Sequence, residues 1–140
     1  MRIIKHTLET KATPAQIWNV WKDVENWKKW DQDIELSQID GPFQAGTMGC
    51  TKFIGTPLFK TLLTQVEPFK LVVQEAYLSF AKVVSYQSMN HLAGKTQVTF
   101  TVEIRGPLSL FFACMLGRFI KKKIPKEMEE MLKRVVAIKD

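Results

Sequence analysis

The apolar residues in the last third of the chain change their spacing half way along it. From Leu108 to Leu116 nearly every residue is apolar. Beyond that segment, apolar residues recur every three or four positions, with Lys, Glu and Arg between them, at Ile124, Met128, Met131, Val135 and Ile138. This spacing is typical of an amphipathic helix with one buried stripe. We therefore predict a helix from Gly106 to Ile138, about thirty residues and roughly 45 Å long, that lies across a broad surface.

The middle of the chain consists of short segments rich in β-forming residues and separated by turns. Lys95–Arg105 alternates most cleanly, because its even-numbered residues from Val98 to Ile104 are apolar and those between them are polar. Six other segments are predicted strands: Arg2–Thr10, Asp33–Ile39, Gly46–Ile54, Lys60–Glu67, Lys70–Tyr77 and Phe80–Asn90. Short turns between successive strands favour an antiparallel sheet with one buried face over a parallel βαβ arrangement.

Two short helices are predicted between the first and second strands. Thr13 can cap the first, and Pro14 suits its first position. Asp23 can cap the second, predicted over Val24–Trp30. All four tryptophans lie in these helices, and we interpret them as core packing under the sheet. A second interpretation is that Trp30, at the helix end, lines a ligand entrance.

Length and composition are those of one ordinary globular domain. The 140 residues are 46% hydrophobic and 24% charged. The first residues form no signal-peptide pattern, and the longest apolar run is far shorter than the roughly 20 residues that cross a bilayer. Cys50 and Cys114 match no metal or redox spacing. We therefore expect a cytoplasmic protein with reduced, buried thiols.

The net charge of +6 is concentrated near the middle of the predicted long helix. Five basic residues with no acid among them lie there: Arg118, Lys121, Lys122, Lys123 and Lys126. Such a cluster suits an anionic membrane, an acidic partner or nucleic acid, or is simply a solvated helix face. No nucleic-acid partner is predicted, because the chain contains no binding motif and no alternation of basic and aromatic residues. The sequence leaves open whether the protein is a monomer or a homodimer.

Several short motifs follow one another along the whole chain. They are Ala12-Thr13-Pro14 before Ile17-Trp18, Trp27-Lys28-Lys29-Trp30-Asp31, Asp40-Gly41-Pro42-Phe43 with Gly46-Thr47, Val66-Glu67-Pro68, and Gly106-Pro107-Leu108 with Ile124-Pro125. In this order they resemble the START/Bet v 1-like (SRPBCC) superfamily, in particular its polyketide cyclase/dehydrase-like branch. Gly94-Lys95-Thr96-Gln97 keeps the glycine of the Gly-Thr-Arg-like element of that branch and departs from the rest.

The resemblance implies an α+β helix-grip fold formed by one domain over residues 1–140. In that fold a curved, seven-stranded antiparallel sheet surrounds the long C-terminal helix, two short helices follow the first strand, and an apolar cavity lies between sheet and helix. The superfamily spans carriers, receptors, cyclases and chaperone activators, so the resemblance fixes the fold more tightly than the function.

Binding or transport of a small hydrophobic or amphipathic ligand is the simplest function for such a cavity. We predict that its lining comes from the inward faces of the last strands and the apolar start of the long helix. The predicted ligand-binding residues are Trp30, Val84, Tyr86, Phe100, Val102, Phe111, Phe112, Met115 and Phe119. The alternative is that these side chains meet one another and fill the space.

No catalytic or metal-binding motif is visible, and no cofactor is predicted. His6 lies in the first predicted strand and His91 near a predicted hairpin turn far from it. The HExxH, paired-Cys, P-loop and GxSxG patterns are missing from the sequence. A cyclase/aromatase- or dehydratase-type enzyme would need none of them, because a cavity and one or two polar groups can orient and polarise a substrate. Tyr86 is the candidate polar anchor, ahead of Glu75, Lys82 and Arg105.

A membrane-surface lipid chaperone is the third hypothesis. In that case the apolar residues from Phe111 to Phe119 enter the bilayer, and Lys121, Lys122 and Lys123 contact anionic headgroups.

Overall fold

Seven antiparallel strands form one sheet that is covered by a long C-terminal helix. The computed structural model describes residues 2–137. The elements are β1 (Arg2–Thr10), α1 (Pro14–Lys22), a 3-10 helix (Val24–Lys29), β2 (Ile34–Ile39), β3 (Met48–Phe53), β4 (Leu58–Glu67), β5 (Leu71–Leu78), β6 (Ala81–Leu92), β7 (Lys95–Arg105) and α2 (Ser109–Ala137). The strand order is β1-β7-β6-β5-β4-β3-β2, so only β1 pairs with a strand distant in sequence. The predicted helix-grip fold is confirmed.

The first helix begins at a capping box. The backbone N–H of Gln16 donates to the Thr13 hydroxyl, and the Gln16 side chain accepts from the Thr13 N–H at 2.9 Å. The second predicted helix is a 3-10 helix, and Asp23 does not cap it through its side chain. The Asp23 carboxylate instead accepts a hydrogen bond from the Asn26 side chain.

The tryptophans of the two short helices are buried beneath the sheet, as predicted. The indole N–H of Trp27 donates to the Trp21 carbonyl oxygen at 3.0 Å, and that of Trp21 donates to the sulfur of Met131 at 3.1 Å. The second bond joins α1 to α2. Burial of these N–H groups therefore leaves neither without a partner.

The predicted stripe of α2 is the part of the helix that enters the core. Ile124, Met128, Met131 and Val135 are all buried, and Ile138 lies outside the described residues. No helix within residues 2–137 is long and apolar enough to cross a membrane.

The two-residue turn between β6 and β7 sets which side chains face the helix. Ala93 and Gly94 both have positive φ, at 55° and 77°, and Leu92 pairs with Lys95. The pairing continues residue by residue from this turn and places Ser85 opposite Val102. Residues on β6 that alternate with Ser85 therefore face the opposite, convex side of the sheet.

This register corrects the predicted orientation of two residues. Val84 pairs with Glu103 and Tyr86 with Thr101, which are convex-face positions of β7. Val84 is nevertheless buried. The prediction placed the side chains of β6 on the wrong face, because it was displaced by one residue along the strand. Such a displacement moves every side chain to the opposite face.

The two cysteines are both free thiols. Cys50 is half-buried and Cys114 is exposed. The expectation of two buried thiols is therefore wrong for Cys114, which lies on the outer side of α2.

Candidate ligand-binding cavity

A cavity of about 340 Å³ lies between the concave face of the sheet and α2. This volume is within the range of small-molecule sites. Most of the lining residues are apolar, and they come from the 3-10 helix, from strands β2 to β7 and from the middle of α2. Ile54 and Phe119 line the cavity and are also more than half exposed, so they lie at its opening.

Three of the predicted binding residues lie in the cavity wall. They are Trp30, Val102 and Phe119. Phe100 also faces inward but packs in the core, with its ring centroid 6.3 Å from that of Trp21. Their role in binding stays a prediction.

Tyr86 belongs to a polar network on the convex face. Its hydroxyl accepts a hydrogen bond from the Arg105 guanidinium at 2.6 Å and donates to Glu103 at 3.2 Å. Burial and the Glu103 charge raise the pKa of Tyr86. Glu75 and Lys82, paired at 3.1 Å, lie on the same face. Tyr86 therefore points away from the cavity and cannot anchor a molecule inside it.

The part of α2 that lines the cavity lies further along the helix than predicted. Phe111 and Met115 are 57% and 56% exposed. Phe112 packs beside a small cluster formed by Ile3, Ala81 and Ile104. The positions of α2 that face the cavity are instead Leu116, Phe119, Ile120, Lys123, Ile124 and Glu127.

The sheet side of the cavity carries uncharged polar groups. Thr61, Gln74, Ser85 and Gln87 line it from β4, β5 and β6. The Gln87 Oε1 atom is buried and accepts no hydrogen bond from any described residue. These hydroxyl and amide groups can therefore pair with polar groups of a ligand.

Three ionisable side chains meet where α2 passes the segment before β2. The Nζ atom of Lys123 lies 2.8 Å from Oδ2 of Asp31 and 3.6 Å from Oε2 of Glu127. The side chains of Asp31, Lys123 and Glu127 are only 3%, 12% and 11% exposed, and all three residues line the cavity. The ammonium group also lies 4.4 Å from the centre of the Phe53 ring.

Local backbone structure holds Asp31 in this position. Its N–H donates to the Trp27 carbonyl at 2.9 Å, and its Oδ1 accepts from the Asp33 N–H at 3.0 Å. The second bond is an Asx turn. One oxygen of the carboxylate therefore faces its own backbone, and the other faces Lys123.

The cluster perturbs the proton affinities of two of its members. Burial opposes the charged form of Lys123, but Glu127 and Asp31 outweigh it and raise the pKa of Lys123. Burial raises the pKa of Glu127 to about 8; Lys123 opposes the increase and the nearby Asp31 adds to it. At neutral pH the site therefore holds a cationic Lys123 and a mostly uncharged Glu127.

Sequence reasoning missed this cluster, although a signal for it was present. Lys123 and Glu127 fall at the spacing of the buried stripe, beside Ile120 and Ile124. Grouping Lys123 with the basic run placed it on the solvated face, and the structure corrects that placement. Within residues 2–137, no group of three or more His, Cys, Asp or Glu side chains is arranged to hold a metal ion.

Comparison with known families gives one match that spans nearly the whole chain. A model of the family described as polyketide cyclase / dehydrase and lipid transport matches residues 1–137. No curated protein sequence matches the chain.

Solved structures resemble this fold closely at low sequence identity. The Zhui aromatase/cyclase from Streptomyces sp. R1128 is 12% identical, with a TM-score of 0.77 over 94% of this chain and 92% of that one. Norcoclaurine synthase from Thalictrum flavum is 15% identical, with a TM-score of 0.71 over 95% and 85%. Ara h 8.0201 is 13% identical, with a TM-score of 0.72 over 96% and 100%. At such identities the likeness establishes the fold.

Proposed function

Because the chain belongs to the polyketide cyclase/dehydrase and lipid transport family, we propose that it binds one small hydrophobic or amphipathic molecule without a covalent bond. The observation that carries the proposal is the cavity of about 340 Å³ between the sheet and α2. Its apolar wall supplies affinity, and a few placed polar groups supply orientation.

The distribution of polar groups suits an amphipathic ligand better than a pure hydrocarbon. Gln74, Ser85 and Gln87 offer hydrogen bonds on the sheet side, and the Asp31–Lys123–Glu127 cluster offers charge at one end. Buried polar groups without partners cost stability, and a ligand that pairs with them removes that cost.

Titration with N-phenyl-1-naphthylamine, an uncharged probe whose fluorescence rises in apolar surroundings, tests the proposal. Trp27 and Trp30 line the cavity, so their emission reports on the same event. We expect saturable binding of one probe per chain, with tryptophan quenching that follows the same curve, and a matching mass for the complex in native mass spectrometry. A linear, non-saturating response would contradict the proposal.

A second candidate function, uptake of the ligand from an anionic membrane, is favoured by the surface at the cavity opening. Phe111, Met115 and Phe119 recur every four residues on α2 and are all more than half exposed. Arg118, Lys121 and Lys122 are exposed beside them. An apolar stripe next to basic residues fits a headgroup interface. Lys123, which the sequence placed in this surface, is buried against Asp31 instead.

Sedimentation with phosphatidylcholine vesicles, with and without phosphatidylserine, tests this second candidate. We expect binding only to the anionic vesicles, and less binding when salt is added or when Lys121 and Lys122 are both changed to Ala. The matched control changes Lys28 and Lys29, an exposed basic pair on the 3-10 helix, to Ala. Equal losses in the two double variants would show a net-charge effect and contradict a specific membrane surface.

A further inference from the structure

Two members of the buried cluster, Asp31 and Lys123, neutralise each other's charge. Asp31 and Lys123 form a direct ion pair at 2.8 Å that joins the segment before β2 to α2. Both oxygen atoms of Asp31 then have a partner, because the second oxygen accepts the hydrogen bond of the Asx turn. One carboxylate and one ammonium suffice for this connection.

Glu127 is the third member of the cluster. Its carboxyl group also forms a side-chain hydrogen bond with Asp31, but one of its two oxygen atoms stays without a partner. Its Oε2 atom is buried and has no hydrogen-bond partner among the described residues, while the distance to Lys123 Nζ, 3.6 Å, is too long for a hydrogen bond. A buried polar atom left unpaired is costly, and such atoms call for a functional explanation. Glu127 also lines the cavity, so a ligand can reach it.

We propose that Glu127, in its uncharged form, donates a hydrogen bond to a carbonyl or hydroxyl oxygen of the ligand, so that the cavity selects neutral oxygenated molecules. This inference rests on the proposed binding function and names the ligand class for the same cavity. A hydrocarbon leaves the buried Oε2 atom of Glu127 without a hydrogen-bond partner. A carboxylate adds a second negative charge beside that of Asp31, which is already paired with the ammonium group of Lys123.

The charged surroundings of Glu127 support the uncharged form. The ionisable residues of the cavity wall are Asp31, Asp33, Lys123 and Glu127 itself, whereas β4, β5, β6 and β7 present side chains there that do not ionise. Burial raises the pKa of Glu127 to about 8. Burial lowers the pKa of Lys123, but its acidic neighbours, Asp31 among them, raise it above the usual value, so the amine stays protonated. Lys123 therefore supplies positive charge and is not a free nucleophile for imine formation.

Three naphthalene probes of similar size test the selection directly. They are 2-acetylnaphthalene, which is a neutral ketone, 2-isopropylnaphthalene, which lacks the oxygen, and the anion 2-naphthoate. At pH 6.5 we expect the ketone to bind about tenfold more tightly than the hydrocarbon, the factor that one good hydrogen bond supplies. The anion should bind more weakly than the ketone. Isotope-edited infrared spectra of the bound ketone should show its C=O stretch at lower wavenumber than in hexane.

Two substitutions and a pH series assign the preference to Glu127. Glu127→Gln keeps an uncharged donor and should keep the preference for the ketone, whereas Glu127→Met removes the donor and should abolish it. In the wild-type protein the preference should disappear above about pH 8, where Glu127 ionises. In Glu127→Gln it should not depend on pH.

The outcomes separate this inference from the function on which it rests. Equal binding of ketone and hydrocarbon by the wild-type protein would overturn the role of Glu127 and leave cavity binding intact. Failure of all three probes to bind would overturn both. A preference for the ketone that is unchanged in Glu127→Met would assign the selection to another group and would also overturn the inference.

Discussion

The ammonium group of Lys123 on α2 lies 2.8 Å from the carboxylate of Asp31 before β2, and both side chains are almost fully buried. This ion pair joins the helix to the segment that follows the tryptophan-rich 3-10 helix. It also forms the charged end of a cavity whose lining residues are mostly apolar. The same contact therefore serves the stability of the fold and the chemistry of the site.

Breaking this pair from one side should strongly destabilise the protein. Lys123→Met leaves two buried carboxyl groups without their cation, and we expect the free energy of unfolding to fall by about 3–5 kcal/mol. The control Lys121→Met, at an exposed position of the same helix, should change it by less than about 0.5 kcal/mol. Urea denaturation measures both, and equal stabilities of the two variants would contradict a structural role for the pair.

Glu127 should make the protein less stable as the pH rises from 5 to 8. Its pKa is raised from 4.5 to about 8 in the folded state, so the folded chain holds a proton that the unfolded chain releases in this interval. The stabilisation is fully present below the unfolded pKa and is lost as the pH passes the folded one. The slope approaches about 1.4 kcal/mol per pH unit.

Glu127→Gln is the matched variant for this measurement, because all other titrating groups are unchanged. Its free energy of unfolding should fall less steeply between pH 5.5 and 7.5 than that of the wild-type protein. Parallel curves for the two proteins would show that Glu127 does not titrate in this interval.

Two glycines should respond in opposite ways to substitution by alanine. A Cβ at Gly49 would collide with the carbonyl oxygen of Gln38 and lie 3.0 Å from Cα of Ile39, so Gly49→Ala should destabilise β2–β3 pairing by about 1–3 kcal/mol. A Cβ at Gly117, within α2, meets no atom within 4 Å, and Gly117→Ala should stabilise the helix by roughly 0.5–1 kcal/mol. Thermal unfolding of the two variants measures both changes in stability. A stabilised Gly49→Ala would refute the close approach of β2 and β3.

The clean patterns of the sequence predicted most of the fold. Lys95–Arg105 was predicted with the bounds that β7 has, because one face of it is apolar and the other polar. The stripe from Ile124 to Val135 fixed which side of α2 is buried. Gly49 is a glycine inside the predicted third strand, and β2 and β3 approach each other closely at this position.

The orientation of β6 could not be taken from its own residues. Val83 and Val84 are both apolar, so alternation does not distinguish the two faces of the strand. The face follows from the pairing with β7, which depends on the two-residue turn at Ala93 and Gly94. Combining that turn with the clear alternation of β7 would have placed Tyr86 on the convex face of the sheet, away from the cavity.

The buried face at the start of α2 could not be taken from its own residues either. A segment that is apolar on all sides has no preferred face, so Phe111 and Met115 looked as suitable as Leu116. The buried face is set by continuing the stripe of the second half backward in steps of three or four from Ile124. Lys123 and Glu127 were missed because a charged side chain in a buried stripe is rare unless it is paired, and its partner Asp31 is distant in sequence.

Filling the cavity from the sheet side tests the central claim most directly. Ser85 lines the cavity from β6, whereas Ser88 of the same strand faces the convex side, so Ser85→Phe and Ser88→Phe introduce the same ring on opposite faces. The measurement is titration of each folded variant with N-phenyl-1-naphthylamine. We predict that Ser88→Phe binds the probe as the wild-type protein does and that Ser85→Phe loses at least tenfold in affinity. Equal affinities in the two variants would place binding outside this cavity and contradict the account.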